Sequence, residues 1–351
     1  MSLIRMSSPH VYKANSTANV MRLVMLAMLP GILAMTLFFG WGTLIQIAWA
    51  ALLALGFEAA MLKLRKRPLG FYLGDYSAIV TAMLIAVALP PLAPWWLTGV
   101  GVFVAIVIAK HLYGGLGQNP FNPAMVAYAL LLISFPVEMT RWNLPFVLTG
   151  EGWSIAPFFD TLGVIFGGAE PVFFDQFTGA TPLDEIRHRG GLTTEEAWRQ
   201  SEVLAQGIGA WHAVSAAWLM GGIFLLYRKV ITWHAPVAML VTLGLISSMF
   251  FGFDPDNYAD PLFHLTTGAT MLAAFFIITD PVSSATSNRG RLVFGACIGL
   301  LVFIIRTWGN YPDGFAFAVL LMNLAAPFID LYTQPRSYGH SRANKGRGGN
   351  S

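Results

Sequence analysis

An all-α integral membrane protein of about ten transmembrane helices, in two five-helix halves of opposite orientation, is the fold the sequence predicts. Three observations predict it. Of the 351 residues, 56% are hydrophobic and 11% charged, against about 25% charged in a soluble domain. Apolar runs of about 20 residues recur from end to end, long enough to cross a hydrocarbon core as helices. Lys and Arg fall in alternate connections between those runs, the asymmetry that sets topology. The formal charge of +3 is thereby explained: the basic residues sit in short loops, and no nucleic-acid partner is expected.

The first five helices are expected at Met21 to Phe39, Leu44 to Leu62, Tyr76 to Leu89, Leu97 to His111 and Ala124 to Phe135. Five more are expected at Gly209 to Tyr227, Trp233 to Phe251, Thr267 to Thr279, Leu292 to Arg306 and Phe315 to Tyr332. The first run follows Arg5, Lys13 and Arg22 with no small-residue cleavage site after it, so it is expected to remain as an anchor. Several runs are short and broken by Gly and Pro, the kind that encloses a midplane site. The chain thus divides into an N-terminal segment (1–20), a first membrane half (21–136), a polar loop (137–208), a second membrane half (209–334) and a basic tail (335–351).

Arg5, Lys13, Lys63 to Arg67, Lys110, Arg228, Lys229, Arg289, Arg291 and the basic tail fall on one side, which is read as the cytoplasm. Trp41, Trp95, Trp96, Asp254, Asp256, Asp260, Trp308 and Asp313 fall on the other. The loop from Val137 to Gln206, with ten acidic and four basic residues, is placed outside. Both termini are then cytoplasmic. Two weak echoes support an inverted repeat: Gly117-Gln-Asn-Pro with Gly309-Asn-Tyr-Pro, and the apolar stretch from Ala82 with that from Thr270, each pair five helices apart.

The single cysteine, Cys297, lies in an apolar run and reads as a buried inert thiol. One thiol excludes an internal disulfide and a cluster held by four thiolates. No metal ligands are singled out, so redox chemistry in this chain needs an organic cofactor.

The only long polar excursion contains Asp175-Gln-Phe-Thr178-Gly179-Ala180-Thr181. Its small residues give a pliant backbone and a hydroxyl without a bulky neighbour behind it. The stretch resembles the attachment motif Asp-x-x-Ser/Thr-Gly-Ala-Thr of ion-pumping flavoprotein complexes, in which the last threonine is esterified to the phosphate of FMN. Thr-Gly-Ala-Thr recurs at Thr267 to Thr270, but there His264 stands at the aspartate's place and the segment runs into an apolar helix. That copy reads as a helix start whose hydroxyls satisfy backbone or neighbouring helices. Thr181 is the expected acceptor, with Asp175, Thr178, Gly179 and Ala180 as its recognition context.

Ser8-Pro9-His10, Gly117-Gln-Asn-Pro-Phe-Asn-Pro, the flavin motif and Thr279-Asp280-Pro281-Val282 extend the resemblance over most of the chain, which is similar to the RnfD/NqrB family of membrane subunits. The Nqr members carry a longer amino-terminal extension, so the likeness leans to the Rnf side. The resemblance implies a bacterial inner-membrane subunit with a urea-transporter-like fold, its flavin loop periplasmic. It relays electrons between ferredoxin and NAD through covalent FMN, coupled to Na⁺ or H⁺. Implied partners are other Rnf subunits, membrane-bound and flavin- or iron–sulfur-carrying, and a flavin transferase for maturation. A subunit of a Na⁺-translocating NADH:quinone reductase, or a flavin-free channel of the same fold, are the alternatives.

The irregular stretch from Lys110 to Pro123 must lie at the inner surface or line a cavity. It reads equally as a wall for an ion or a second, non-covalent flavin such as riboflavin, with Asn119 and Asn122 as hydrogen-bonding groups, and as an interhelical turn. Asp280 reads as a helix terminator or a cation-attracting carboxylate. Glu58 is expected to snorkel to the inner headgroups near Lys63.

Overall fold

A computed structural model describes residues 16–145, 157–167, 178–311 and 313–333. Helix α1 (Thr17–Phe39) starts four residues before the expected Met21 because the Ser16 hydroxyl accepts the Asn19 amide and caps it. It stops at Gly40 (φ 90°), and α2 (Gly42–Leu64) returns. After the short α3 (Leu69–Leu73) comes α4 (Ser77–Ala88), started by Asp75, whose Oδ1 accepts from both Ser77 N and Ser77 Oγ, and ended before Pro90. Helix α5 (Trp95–Phe103) continues as a π-helix (Val104–Leu112), the two forming one run of 18 residues. Asn122 caps α6 (Pro123–Ser134), which has Pro123 at its first position.

The polar excursion is built from α7 (Pro136–Thr140), β1 (Trp142–Asn143), α8 (Phe158–Phe166), β2 (Thr178–Gly179), α9 (Pro182–Arg187) and α10 (Thr194–Gln200). A π-helical stretch (Val203–Gly207) leads into α11 (Ile208–Tyr227), followed by α12 (His234–Phe253) and α13 (Pro261–Thr266). Helix α14 (Thr270–Leu272) runs on as a π-helix (Ala273–Ile277); α15 (Asn288–Trp308) and α16 (Phe315–Thr333) complete the described chain.

Each expected apolar run holds a helix, yet among the described residues seven helices are long and apolar enough to cross a membrane. The chain is a multi-pass, mostly helical membrane protein. The remaining three positions carry shorter helices. At ~1.5 Å rise per residue, the 12 residues of α4 or α6 cover about 18 Å, too little to span. Pro90 and Pro91 cut α4, Asn122-Pro123 delays α6, and Gly268 and Asp280-Pro281 bracket the α14 stretch. Helix α1 packs on α11, α12 on α15, and α6 on α16. The α1–α11 approach is close: a Cβ on Gly221 would collide with the Ala27 carbonyl.

Two expectations fail here. Glu58 does not snorkel: it is 2% exposed, and both its oxygens accept from Lys110 Nζ, at 2.9 and 2.8 Å. Lys110 gives its third proton to Ser77 Oγ at 2.9 Å, and His111 Nε2 stands 3.2 Å from Glu58. Lys110 is therefore a buried partner of the carboxylate rather than a surface marker of topology. The reason is proximity that sequence does not display, since 52 residues separate the pair. Cys297 is half-buried at the edge of the core, not sealed within it.

A buried charge stripped of its partner is costly. Lys110→Met should destabilise the protein by about 3–5 kcal/mol, seen as a lowered thermal midpoint in detergent. Adding Glu58→Leu should restore most of the loss.

Candidate functional site

The Thr181 segment is tied to the helical bundle by backbone pairing. Strands β1 and β2 are antiparallel, with Trp142 opposite Gly179 and Asn143 opposite Thr178. Asn143 Nδ2 donates to the Phe39 carbonyl at 3.2 Å, anchoring the pair to the end of α1. Gly179 packs closely here: a Cβ would stand 2.6 Å from Leu144 Cδ2, so the Leu144 side chain would have to shift. Asp175 lies outside the described residues.

Thr181 is expected in an open loop; it is instead the N-cap of α9, in a capping box with Asp184. The Asp184 amide donates to Thr181 Oγ1 at 3.2 Å, and Thr181 Oγ1 donates to Asp184 Oδ2 at 2.9 Å. Burial pushes the Asp184 carboxyl up, while the hydrogen bonds from Thr181 and the nearby His188 and Arg187 draw it down. Thr181 itself is half-buried, at the edge of a cavity of about 110 Å³. Trp142, Tyr128, Trp211, Trp218 and Phe315 wall that cavity, with Asp184 and Asp313 as its carboxylates. The Trp211 ring packs 4.8 Å from Phe39 and 5.6 Å from Trp142, and its buried Nε1–H finds no acceptor among the described residues.

The second Thr-Gly-Ala-Thr segment closes the same cavity with Gly268 and Ala269. Its threonines are committed elsewhere, as expected for a helix start. Thr270 is fully buried; its hydroxyl donates to the His264 carbonyl at 2.8 Å and accepts from Arg306 Nη2 at 3.1 Å. Thr267 Oγ1 donates to the Phe263 carbonyl. Asp313 joins the parts: Oδ2 accepts the Ala269 amide at 2.8 Å, and Oδ1 lies 3.3 Å from Arg306. Thr181 and Thr270 thus share one neighbourhood but differ in reach.

At the other end of the bundle, Asn119, Asn122, Lys110, Ser77, Asp280 and Arg291 line a second cavity of about 190 Å³. Asn122 Oδ1 caps α6, and both Asn122 and Asn119 line the cavity. Asn119 is 4% exposed; its Nδ2 donates to the Phe121 carbonyl and its Oδ1 has no donor among the described residues. Asp280 ends the α14 stretch by accepting from Val282 N and Ser283 Oγ. Asn323 of α16, its amide assigned to satisfy its neighbours, accepts the Asn122 amide at 3.0 Å and donates to the Ser283 carbonyl at 3.1 Å.

Sequence reasoning singled out Thr181, Asn119 and Asn122 as candidates and did not single out Asp184, Trp211, Asp313 or Asn323, which the structure sets beside them. The Thr-x-x-Asp spacing of the capping box was the available signal for Asp184. The others act across long sequence separations and leave no local pattern.

Residues 4–339 match the NQR2, RnfD, RnfE family. A Cellvibrio japonicus protein named as a subunit of an ion-translocating oxidoreductase complex is 53% identical over 350 residues, 98% of this chain and 97% of the relative. The protein of the same name from Pseudomonas aeruginosa (strain LESB58) is 54% identical, covering 99% of this chain and 98% of its own length. The Vibrio atlanticus counterpart is 54% identical over 97% of this chain and its own full length (100%).

Gly268 adopts φ +62°, and a Cβ there would lie 2.6 Å from Asp313 Oδ2 and 2.9 Å from Arg306 Nη2. Gly268→Ala should therefore cost at least about 1–2 kcal/mol from the left-handed backbone alone and disturb the Arg306–Asp313 pair. Thermal unfolding in detergent measures it, with Gly209→Ala, where a Cβ meets nothing within 4 Å, as the control.

Proposed function

Because the chain belongs to the NQR2, RnfD, RnfE family, we propose that it is a membrane subunit of an ion-translocating oxidoreductase complex that holds FMN esterified through its phosphate to Thr181. The observation that carries this reading is the Thr181 hydroxyl at the edge of an aromatic cavity whose Trp211 indole N–H lacks a partner. A planar, polar-edged ring system suits such walls: Trp142, Trp211 and Trp218 offer faces for stacking, and the orphan N–H suits a carbonyl acceptor. When bound, FMN supplies the capacity to accept and pass electrons.

The residues' tasks follow from their positions. Thr181 tethers the phosphate end, β1 and β2 hold the tether over the bundle, and the tryptophans limit water around the ring. The Arg306–Asp313 pair keeps the Gly268-Ala269 wall in place. In the second cavity, Asn119 Oδ1 is an acceptor for the ring N–H of a non-covalent flavin such as riboflavin. That assignment rests on the unpartnered oxygen, and Asn119→Leu should release the non-covalent flavin while leaving the covalent one.

The finer architecture belongs to the same proposal. Ten helical positions, a short helix third in each set of five, and the packing of α1 on α11 and α6 on α16 support two inverted five-helix repeats of urea-transporter-like form. The proposed divisions of the chain fall at residues 20, 136, 208 and 334. The chain sits in a bacterial inner membrane with cytoplasmic termini and a periplasmic flavin loop. It works beside membrane, flavin and iron–sulfur subunits, and is matured by a flavin transferase. Coupling of ferredoxin and NAD electron transfer to Na⁺ or H⁺ movement is the proposed activity. A quinone-reductase subunit would use the same residues; a flavin-free channel would leave the tryptophan cavity and the hydroxyl beside it without a purpose.

Thr181→Ala should abolish covalent flavin, read as fluorescence of the denatured subunit on a gel and as peptide mass, when the chain is expressed with the transferase. Thr270→Ala should keep it at some loss of stability, since Arg306 loses an acceptor. Flavin retained in Thr181→Ala overturns the assignment. A phosphatase fused near residue 190 should be active and one near residue 65 silent; the reverse would invert the topology.

A further inference from the structure

The geometry points to Asp184 as the group that takes the Thr181 proton when the hydroxyl is esterified, an inference that rests on Thr181 being the flavin acceptor. A threonine hydroxyl is a weak nucleophile unless a base removes its proton as the new bond forms. Thr181 Oγ1 already points its hydrogen at Asp184 Oδ2, 2.9 Å away, within the reach required of a general base. The oxygen accepts one bond, from the Asp184 amide at 3.2 Å, so one lone pair remains for attack. Pro182 has no amide hydrogen to compete for it. Thr181 is half-buried at the aromatic cavity, which Asp184 also faces, while the far side of Asp184 lines two outer clefts with Ala180.

The step balances with an activated flavin nucleotide such as flavin adenine dinucleotide. Free FMN would have to expel an oxide, whereas a phosphoanhydride releases AMP. Thr181 Oγ1 forms a bond to the flavin-side phosphorus, the phosphoanhydride bond breaks, AMP leaves with the electron pair, and the Thr181 proton passes to Asp184 Oδ2. Nothing is oxidised or reduced. The capping hydrogen bond from Thr181 to Asp184 is lost with that proton, but Asp184 now carries it and can donate to the phosphodiester. Burial, which pushes this carboxyl up, favours holding the proton afterwards.

The groups facing Asp184 are Glu185 and Arg187 of α9, His188 and Arg189 just beyond it, Arg141 beside β1, Tyr128 of α6, and Asp313 across the cavity, itself paired with Arg306. Several of these titrate, as does any transferase. The readout is therefore the ratio of wild-type to variant attachment rates at each pH, in which shared titrations cancel.

The full-length chain in detergent, with flavin transferase and flavin adenine dinucleotide, is followed by in-gel fluorescence. Asp184→Asn keeps the shape and an acceptor for the Thr181 amide, and should slow attachment about a hundredfold at neutral pH, the low end for a general base. The wild-type-to-Asn ratio should shrink toward one in acid, as the wild-type carboxyl protonates. Asp184→Glu, with its carboxylate, should exceed the Asn variant and guards against a merely structural loss. Wild-type rates in Asp184→Asn across pH, with flavin still on Thr181, would overturn the role of Asp184 alone. A pH-independent ratio, or a Glu variant no faster than Asn, would do the same. Absence of flavin from wild-type Thr181, or labelling of Thr181→Ala, would instead overturn the acceptor assignment beneath it.

Discussion

Backbone that leaves a helix inside a membrane must find partners for its amides and carbonyls, because the hydrocarbon offers none. The architecture depends on meeting that demand where α4, α6 and the α14 stretch stop short. Asp75 starts α4 and Asn122 caps α6. Asp313 takes the Ala269 amide and Arg306 the His264 carbonyl ahead of α14, while Asp280 serves the turn at the other end. Arg65 donates to the His111 carbonyl and Arg67 to Gly114, satisfying the end of the π-helix after α5. Polar residues scattered through an oily sequence thus act as terminators of short helices.

These terminators also make the cavities. A helix that ends early leaves space beyond it, and the groups that satisfy its end line that space. Asp313 closes the Gly268 turn and faces the aromatic cavity; Asn122 starts α6 and faces the other. Thr181 obeys the same economy from outside the bundle. Its hydroxyl caps α9 and remains half-accessible at a cavity edge, whereas the hydroxyl of Thr270 is consumed by the His264 carbonyl and Arg306. Two identical tetrapeptides therefore differ in the reach of their last hydroxyl because their surroundings differ.

The helices were legible because length and apolarity are local properties, and the observed bounds depart from expectation by a few residues where caps such as Ser16 and Ser287 intervene. Which Thr-Gly-Ala-Thr copy keeps a half-exposed final threonine and which buries it was legible from flanking polarity. The shortness of α4 and of the α14 stretch was legible in the sequence, in short apolar runs stopped by Pro90 and Asp280-Pro281. Glu58 was misread because its partner Lys110 lies 52 residues away, and a lone acidic residue near a helix end looks like a snorkelling one. Asn323 carried no local signal, since its three partners belong to an opposite segment, a distant turn and its own preceding helical turn.

Helix α4 and the α14 stretch wall both cavities: Leu84 and Phe276 face one, Val87 and Ile277 the other. Apolar side chains of these two elements thus face the space at either end. Water and ions entering from either end meet a layer in which their solvation cannot be replaced. Electrically, apolar groups between two polar-lined recesses form a thin low-dielectric layer, and a voltage across such a layer falls most steeply where the dielectric constant is lowest.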